Sequence, residues 1–235
     1  MRIHYLSCHA VLEHDEVKLL TELGHEVFSN GVYADPAGHK TLPRPGIPES
    51  KYFPEYEKLS KQFPKTNLPK ELIDPFDLII VMHTPEWILE NWGKMKGKKV
   101  IWRSIGQSTK HVENMLRRCR YEGLNIVRYS TMESLIPDFI GADAYIRFYK
   151  DPDEFKDWNG KEKRAINFTQ SLKGRRSFCH YDHIMSVFEG FPSLIYGTGN
   201  DDLGPMNGGE LPYDLMKGAM RDNRVFLYAG TWPAC

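Results

Sequence analysis

Ile3-His4-Tyr5-Leu6-Ser7, a helical pattern over residues 14–23, and Glu26-Val27-Phe28 together form the stretch that decides the fold. The opening run is short and β-prone. Val17, Leu20 and Leu23 then recur at helical spacing, with Asp15 and Glu16 in the first turn, where the helix dipole favours acids. Gly24 ends that helix and Glu26 starts a second strand. Strand, helix and strand within about 30 residues make a βαβ unit, which implies a parallel sheet.

The same alternation continues outward. Leu78-Ile79-Ile80-Val81-Met82 is an unbroken apolar run of the kind found in a strand covered on both faces. Pro85 suits the first turn of a helix running through Trp87, Ile88 and Trp92 to Gly93. Val100-Ile101-Trp102 is a strand, and Val112, Met115, Leu116 and Cys119 form a helical stripe with Gly123 beyond it. Ile126-Val127 and Ala144-Tyr145-Ile146 are further strands. Residues 31–48, rich in Pro and Gly, read as an irregular loop, and 55–63 as a helix closed by Pro64.

Charged residues with Pro and Gly over 150–163 mark a linker. The expected organisation is a first domain over 1–150, a linker over 151–163 and a second domain over 164–235. In the second, 165–169 reads as a strand and Tyr181, Ile184, Met185 and Phe188 as a helical stripe. Strand 193–196, helix 212–221 and strand 225–228 follow. No helix pattern follows the last strand, so this domain is expected to be incomplete. The fold class is α/β, with two Rossmann-like parallel-sheet domains.

Composition narrows the function. The 235 residues are 41% hydrophobic and 26% charged, a packed protein rather than a disordered one. Lys+Arg and Asp+Glu both number 31, and a zero formal charge disfavours a partner held mainly through a nucleic-acid backbone. No apolar run approaches the roughly 18 residues that span a bilayer, and the N-terminus lacks a signal-peptide core. Cys8, Cys119, Cys179 and Cys235 are far apart and read as reduced thiols, so a cytoplasmic protein is expected.

In open α/β sheets ligands sit at the carboxyl ends of strands. The first strand is followed by Cys8, His9 and His14, the 78–82 strand by His83 and Thr84. Arg103, Ser104, Gly106, Gln107 and Ser108 follow the 100–102 strand, and Ser130, Thr131 and Glu133 the next. A histidine directly after a buried strand is placed for proton transfer, which makes His83 the catalytic candidate. The plainer reading is a histidine satisfied locally. Ser7-Cys8-His9-Ala10 contains no glycine, so the tight pyrophosphate turn of a nicotinamide or flavin site is missing. Neither a P-loop nor a G-x-S-x-G elbow is present.

Lys173-Gly174-Arg175-Arg176 lies between a strand and a helix, where three cations suit a diphosphate; a solvated basic turn is the alternative. Gly197-Thr198-Gly199-Asn200 would let a ligand approach the backbone closely, or be a simple turn. Cys179 and His183 stand at i, i+4, but no second ligand pair accompanies them and no metal is expected.

Several passages resemble the GT-B glycosyltransferases, and in particular the retaining, group 1-like members. Leu20-Thr21-Glu22-Leu23-Gly24-His25-Glu26-Val27 is similar to their "L-x-x-x-G-H-E-V" passage, and Val127-Arg128-Tyr129-Ser130 to a strand ending in Ser. Residues 146–155 resemble the interdomain "I-P-N-G-V-D-x-x-x-F" segment, keeping the Ile, Asp and Phe but lacking Pro-Asn-Gly. Ile195-Tyr196-Gly197-Thr198-Gly199 resembles the "h-x-G-x-G" strand end of the donor domain. The resemblance implies an N-terminal acceptor domain and a C-terminal domain for a nucleotide-diphosphate sugar, which is the donor substrate; no cofactor is implied. It places Lys173, Arg175, Arg176, Gly197, Gly199 and Asn200 at the donor, and His83 near a first-domain cleft histidine. His9, His14, Arg103, Gln107 and Ser130 fall on the acceptor side, a saccharide or glycoconjugate. The chain departs from the pattern in two ways. The loop Arg103-Ser104-Ile105-Gly106-Gln107 lacks the histidine of many retaining members. The family's donor-site glutamates would lie past Cys235, so a complementing C-terminal fragment is a conceivable partner. Whether sugar configuration is retained or inverted stays open. Two other functions fit the architecture: a nucleotide-sugar epimerase, and a non-catalytic binding or scaffold module.

Overall fold

The computed structural model describes residues 1–31 and 54–230. The irregular loop expected over 31–48 and the end of the chain after 230 fall almost wholly outside the described residues. Two compact units separate after Tyr149: Met1–Tyr149 and, from Lys150, the second.

The first unit carries a six-stranded parallel sheet. Its strands are β1 (Arg2–Leu6), β2 (Glu26–Asn30), β3 (Leu78–Met82), β4 (Lys99–Arg103), β5 (Asn125–Arg128) and β6 (Ala144–Tyr145), in the order β2-β1-β3-β4-β5-β6. The helices are α1 (Ala10–Glu22), α2 (Pro54–Gln62), α3 (Pro85–Met95) and α4 (Lys110–Tyr121). Strand alternation divides the core into two layers. Ile3, Tyr5, Leu78, Ile80 and Met82 pack with Leu12 and Val17 of α1. Leu6, Ile79, Val81, Val100 and Trp102 point the other way, against Ile88 and Trp92 of α3 and Leu116 and Cys119 of α4. Both faces are covered, which is why β3 reads as a continuous apolar run.

α1 begins four residues earlier than the periodicity suggests. His9 is the N-cap: its Nδ1 accepts the Leu12 N–H at 3.4 Å, and the Glu13 N–H bonds the His9 carbonyl at 2.9 Å. An imidazole cap is outside the usual Ser, Thr, Asp and Asn set, so the sequence hides this start. Smaller differences follow the same pattern. β6 ends at Tyr145 rather than Ile146, and α3 runs to Met95, past Gly93.

The second unit holds a four-stranded parallel sheet in the order β10-β7-β8-β9. Its elements are β7 (Glu162–Phe168), α5 (Tyr181–Phe188), β8 (Ser193–Tyr196), β9 (Asn207–Gly209), α6 (Tyr213–Asp222) and β10 (Asn223–Phe226). β7 starts inside the stretch read as linker, because pairing with β10 extends back to Glu162. β9 is Asn-Gly-Gly, with no β-prone side chain to announce it, and its ladder with β8 alone makes it a strand. β10 begins at Asn223 and not at Val225. The Asn223 side chain, almost fully buried, accepts from Arg164 Nε at 2.8 Å and donates to the Ala219 carbonyl at 2.8 Å. The core of this unit is Leu172, Cys179, Ile184, Phe188, Ile195 and Leu203.

Candidate functional site

The topological switch points of the two sheets locate the candidate sites. In unit 1 the chain leaves β1 for β2 on one side and reaches β3 on the other, so the carboxyl ends of β1 and β3 open side by side. Ser7, Cys8 and His9 follow β1; His83 and Thr84 follow β3.

His83 holds a left-handed backbone, φ 63°, rare for a residue with a Cβ. Two hydrogen bonds fix it there. Its N–H donates to the Arg103 carbonyl at 2.9 Å, and its carbonyl accepts from Trp102 Nε1 at 2.9 Å. The imidazole is half-buried, with Nδ1 buried and without a hydrogen-bond partner. Burial pushes its pKa below the usual 6.5, against a smaller opposing pull from Glu86, so the ring is neutral at neutral pH. Such strain, over-determined by its surroundings, clusters at functional sites.

Cys8 lies alongside, its thiol 3.8 Å from the Met82 carbonyl. Burial raises its pKa, which keeps it a thiol rather than a nucleophilic thiolate. Lys65 reaches this edge from the segment after α2, 58 residues along the chain from Ser7, a proximity that no local pattern announces. Its Nζ donates to the Ser7 carbonyl at 3.3 Å and stands 4.7 Å from the Trp87 ring centroid. Fully buried Asn91 of α3 holds the segment in place: its Oδ1 accepts the Leu68 N–H at 2.7 Å and its Nδ2 donates to the Lys65 carbonyl at 2.8 Å. An Asn on a helix offers no sequence signal for that clasp.

The other candidates of unit 1 separate. His9 is exposed and spends Nδ1 on the α1 cap. His14 does not stand in the loop after β1: it occupies the second turn of α1, buried, 3.7 Å from Asp15. Ser130 is mostly buried, and its hydroxyl accepts the Met132 N–H at 3.2 Å as part of a capping box with Glu133. Gln107 is half-buried in the loop after β4.

Two buried arginines end the neighbouring strands. Arg128 of β5 is fully paired, donating to both Glu113 oxygens at 2.7 Å and to the Gly141 carbonyl at 3.1 Å, with Trp102 and Phe139 over its guanidinium. Arg103 of β4 is 3% exposed and reaches one acceptor, Glu16, through Nε at 3.0 Å. Its Nη1 and Nη2 are buried without hydrogen-bond partners. An orphaned buried donor costs about 1–3 kcal/mol, more when charged.

In unit 2, β7 runs to β8 and β9 on one side while β10 lies on the other, so the switch point is at the carboxyl ends of β7 and β10. The turn-rich segment that follows β7 carries Lys173, Gly174, Arg175 and Arg176, all exposed. Lys173 stands 3.5 Å from Asp202, Arg176 pairs with Asp182 through Nε at 2.8 Å and a second contact through Nη2, and Arg175 lies over the Phe178 ring. Exposed pairs of this kind contribute about 0–1 kcal/mol, so an incoming anion displaces them at little cost. Gly174, Arg176, Ser177, His180, Asp182 and His183 line an open cavity of about 660 Å³ at the start of α5.

Gly197 and Asn200 act on the loop's shape. Gly197 has φ 131°, and a Cβ there would lie 2.7 Å from the Thr169 carbonyl oxygen. The ends of β7 and β8 therefore touch backbone to backbone. Asn200, 1% exposed, accepts the Leu172 N–H at 2.9 Å and donates to the Thr169 and Gly197 carbonyls at 2.7 and 3.0 Å. Both its amide hydrogens are committed, so it clamps the loop rather than presenting to a ligand. Gly199, φ 71°, passes close to Ser171.

Two Rossmann-like parallel sheets in one chain, each with chemistry-bearing residues at a carboxyl-end switch point, match the GT-B fold. Comparison with solved structures finds that fold in an alpha-glucosyltransferase in complex with UDP and a 13-mer DNA containing a central A:G mismatch. The two share 14% identity at a TM-score of 0.50, over 99% of this chain and 73% of that one. The glycosyltransferase SnogD from Streptomyces nogalater is also similar, at 17% identity and TM-score 0.43 over 91% of this chain and 70% of its own. So is the glycotransferase of kitacinnamycin, at 13% and 0.44 over 90% and 69%. No protein-family model and no curated protein matches the chain.

Proposed function

We propose that the protein transfers a sugar from a nucleoside-diphosphate sugar, held by unit 2, to a hydroxyl acceptor at the carboxyl edge of the unit 1 sheet. The observation that carries this is the basic turn at the β7/β10 switch point, on a fold shared along 99% of the chain with a UDP-bound alpha-glucosyltransferase. In the reaction the bond from the sugar's anomeric carbon to the diphosphate oxygen breaks, and a bond to the acceptor oxygen forms. Lys173, Arg175 and Arg176 stabilise the charge that builds on the leaving diphosphate. His83, half-buried at the end of β3 and neutral at neutral pH, accepts the acceptor proton on its imidazole. The donor brings its own activated leaving group, and this reading calls on no resident cofactor.

The test is titration of the protein with UDP and a panel of nucleoside-diphosphate sugars, followed by measurement of nucleoside diphosphate released in the presence of saccharide acceptors. Binding that Arg175→Ala and Arg176→Ala weaken together supports the assignment. Absence of binding to every nucleotide tried overturns it. Change of the donor sugar without an acceptor would identify an epimerase instead. Unchanged biological activity with His83, Lys173 and Arg175 all replaced would identify a scaffold.

A second reading of the acceptor comes from the DNA bound in the similar alpha-glucosyltransferase structure. The balance of 31 basic and 31 acidic residues gives no general attraction to a phosphate backbone, so the saccharide acceptor stands first. Sugar label appearing on duplex DNA, steeply reduced by added salt, would reverse that order.

A further inference from the structure

We infer that Arg103 is the floor of an oxyanion-binding site in unit 1, covered by Phe148, that takes a carboxylate or phosphate group. The contrast with Arg128 carries the inference. Both guanidinium groups end neighbouring parallel strands and both are buried, yet the donors of Arg128 reach Glu113 and the Gly141 carbonyl while Nη1 and Nη2 of Arg103 reach nothing.

The geometry shows which edge is open. Glu16 accepts only at Nε, and its other oxygen accepts the Tyr5 hydroxyl at 2.5 Å. Tyr5 thereby holds the carboxylate on the Nε side and keeps it from swinging across both Nη atoms. The remaining edge offers two parallel N–H groups, the arrangement that recognises a planar carboxylate or two oxygens of a phosphate. Phe148 lies over the guanidinium, its ring centroid 4.2 Å away, and stacks on Tyr129 at 5.4 Å. Arg147, exposed, stands 5.9 Å from the Tyr129 ring. Phe148 is a buried member of the layer that holds Ile3, Tyr5 and Leu12, so uncovering the fork displaces apolar packing but breaks no hydrogen bond.

The site makes the ligand of this sheet edge an anionic one. Naming that ligand the acceptor rests on the function proposed above; the binding of the oxyanion does not. The experiment uses the full chain in an Arg175→Ala, Arg176→Ala background, so that the basic turn of unit 2 does not contribute. Inorganic phosphate and acetate are titrated separately, following the arginine side-chain ¹⁵N resonances and the melting temperature. Saturable binding is expected, roughly tenfold weaker in Arg103→Lys, which keeps the charge beside Glu16 but loses the fork. Phe148→Ala, which removes the cover, is expected to bind roughly tenfold more tightly. Preference for phosphate or for acetate assigns the group. If neither anion binds Phe148→Ala, or Arg103→Lys binds as well as its parent, the site does not exist. UDP binding, measured with Arg175 and Arg176 intact, reports on the glycosyl-transfer reading separately.

Discussion

Acid should destabilise unit 1 through a buried histidine that takes no part in the site. His4 points from β1 into the α3/α4 layer, fully buried, its ring 5.3 Å from Phe28 and 5.0 Å from Phe76. Nδ1 meets the Leu72 carbonyl at 2.7 Å, and Nε2 is buried with no partner. Burial lowers its pKa from 6.5 to about 4, against the Leu72 hydrogen bond and helped by the charge of Lys65. The ring is therefore neutral, with the proton on Nδ1 donated to Leu72. Between the two values the unfolded chain binds a proton that the folded protein refuses, so stability rises with pH across that window. The contribution is complete above pH 6.5 and is lost as the pH falls toward 4, at about 1.4 kcal/mol per pH unit. The total is about 3 kcal/mol, a large share of the roughly 5–15 kcal/mol that holds a typical domain folded. Urea denaturation followed by tryptophan fluorescence at steps between pH 7.5 and 4.5 measures it in the wild type and in His4→Phe. The variant keeps the aromatic packing and removes the proton site. Its stability should depend on pH less steeply, by nearly the full slope, although it starts lower because the Leu72 carbonyl loses its donor. Equal slopes in the two proteins would refute the reasoning. So would a His4 imidazole seen by NMR to titrate near 6.5 in the folded state.

The remaining predictions concern the scaffold and the two switch points. Glu113→Gln or Arg128→Met strands one half of a fully buried pair and should cost about 3–5 kcal/mol in urea denaturation. Gly197→Ala places a methyl 2.7 Å from a backbone oxygen at a positive φ, and should both lower the melting temperature and weaken UDP binding by calorimetry. His83→Gly should change stability by no more than about 1 kcal/mol, since relief of left-handed strain offsets the added freedom of the unfolded chain, while steady-state transfer falls by about 10²–10⁴-fold. Because burial holds the His83 pKa below 6.5, the acid limb of the transfer-rate profile should lie below pH 6.5; a limb above it would remove His83 as the base.

Much of the first unit is legible in its residues. The run Leu78-Ile79-Ile80-Val81-Met82 is apolar at every position because β3 is central and covered on both faces, and its bounds coincide with the observed strand. The stripe Val112, Met115, Leu116, Cys119 marks α4 for the same reason of burial on one side, with Leu116 and Cys119 in the core. Placing candidate chemistry after β1, β3, β4 and β7 needed only the order of strands. Elements stabilised by something other than their own side-chain pattern were hidden. α1 starts at a histidine cap, and β9 is a glycine-rich segment recruited by β8.

The linear order of apolar, polar and glycine residues thus determined the parallel α/β class, the repetition of that class in two units, and the loops in which chemistry could sit, because periodicity records which faces are buried. Tertiary structure alone decided the use of each polar side chain in those loops. Ser130, His14 and Asn200 looked available and are spent on a cap, a helix interior and a loop clamp. Lys65 and the open fork of Arg103 gained their significance from neighbours dozens of residues away. A hydrogen bond depends on distances between atoms remote along the chain, and those distances exist only once the sheets have formed.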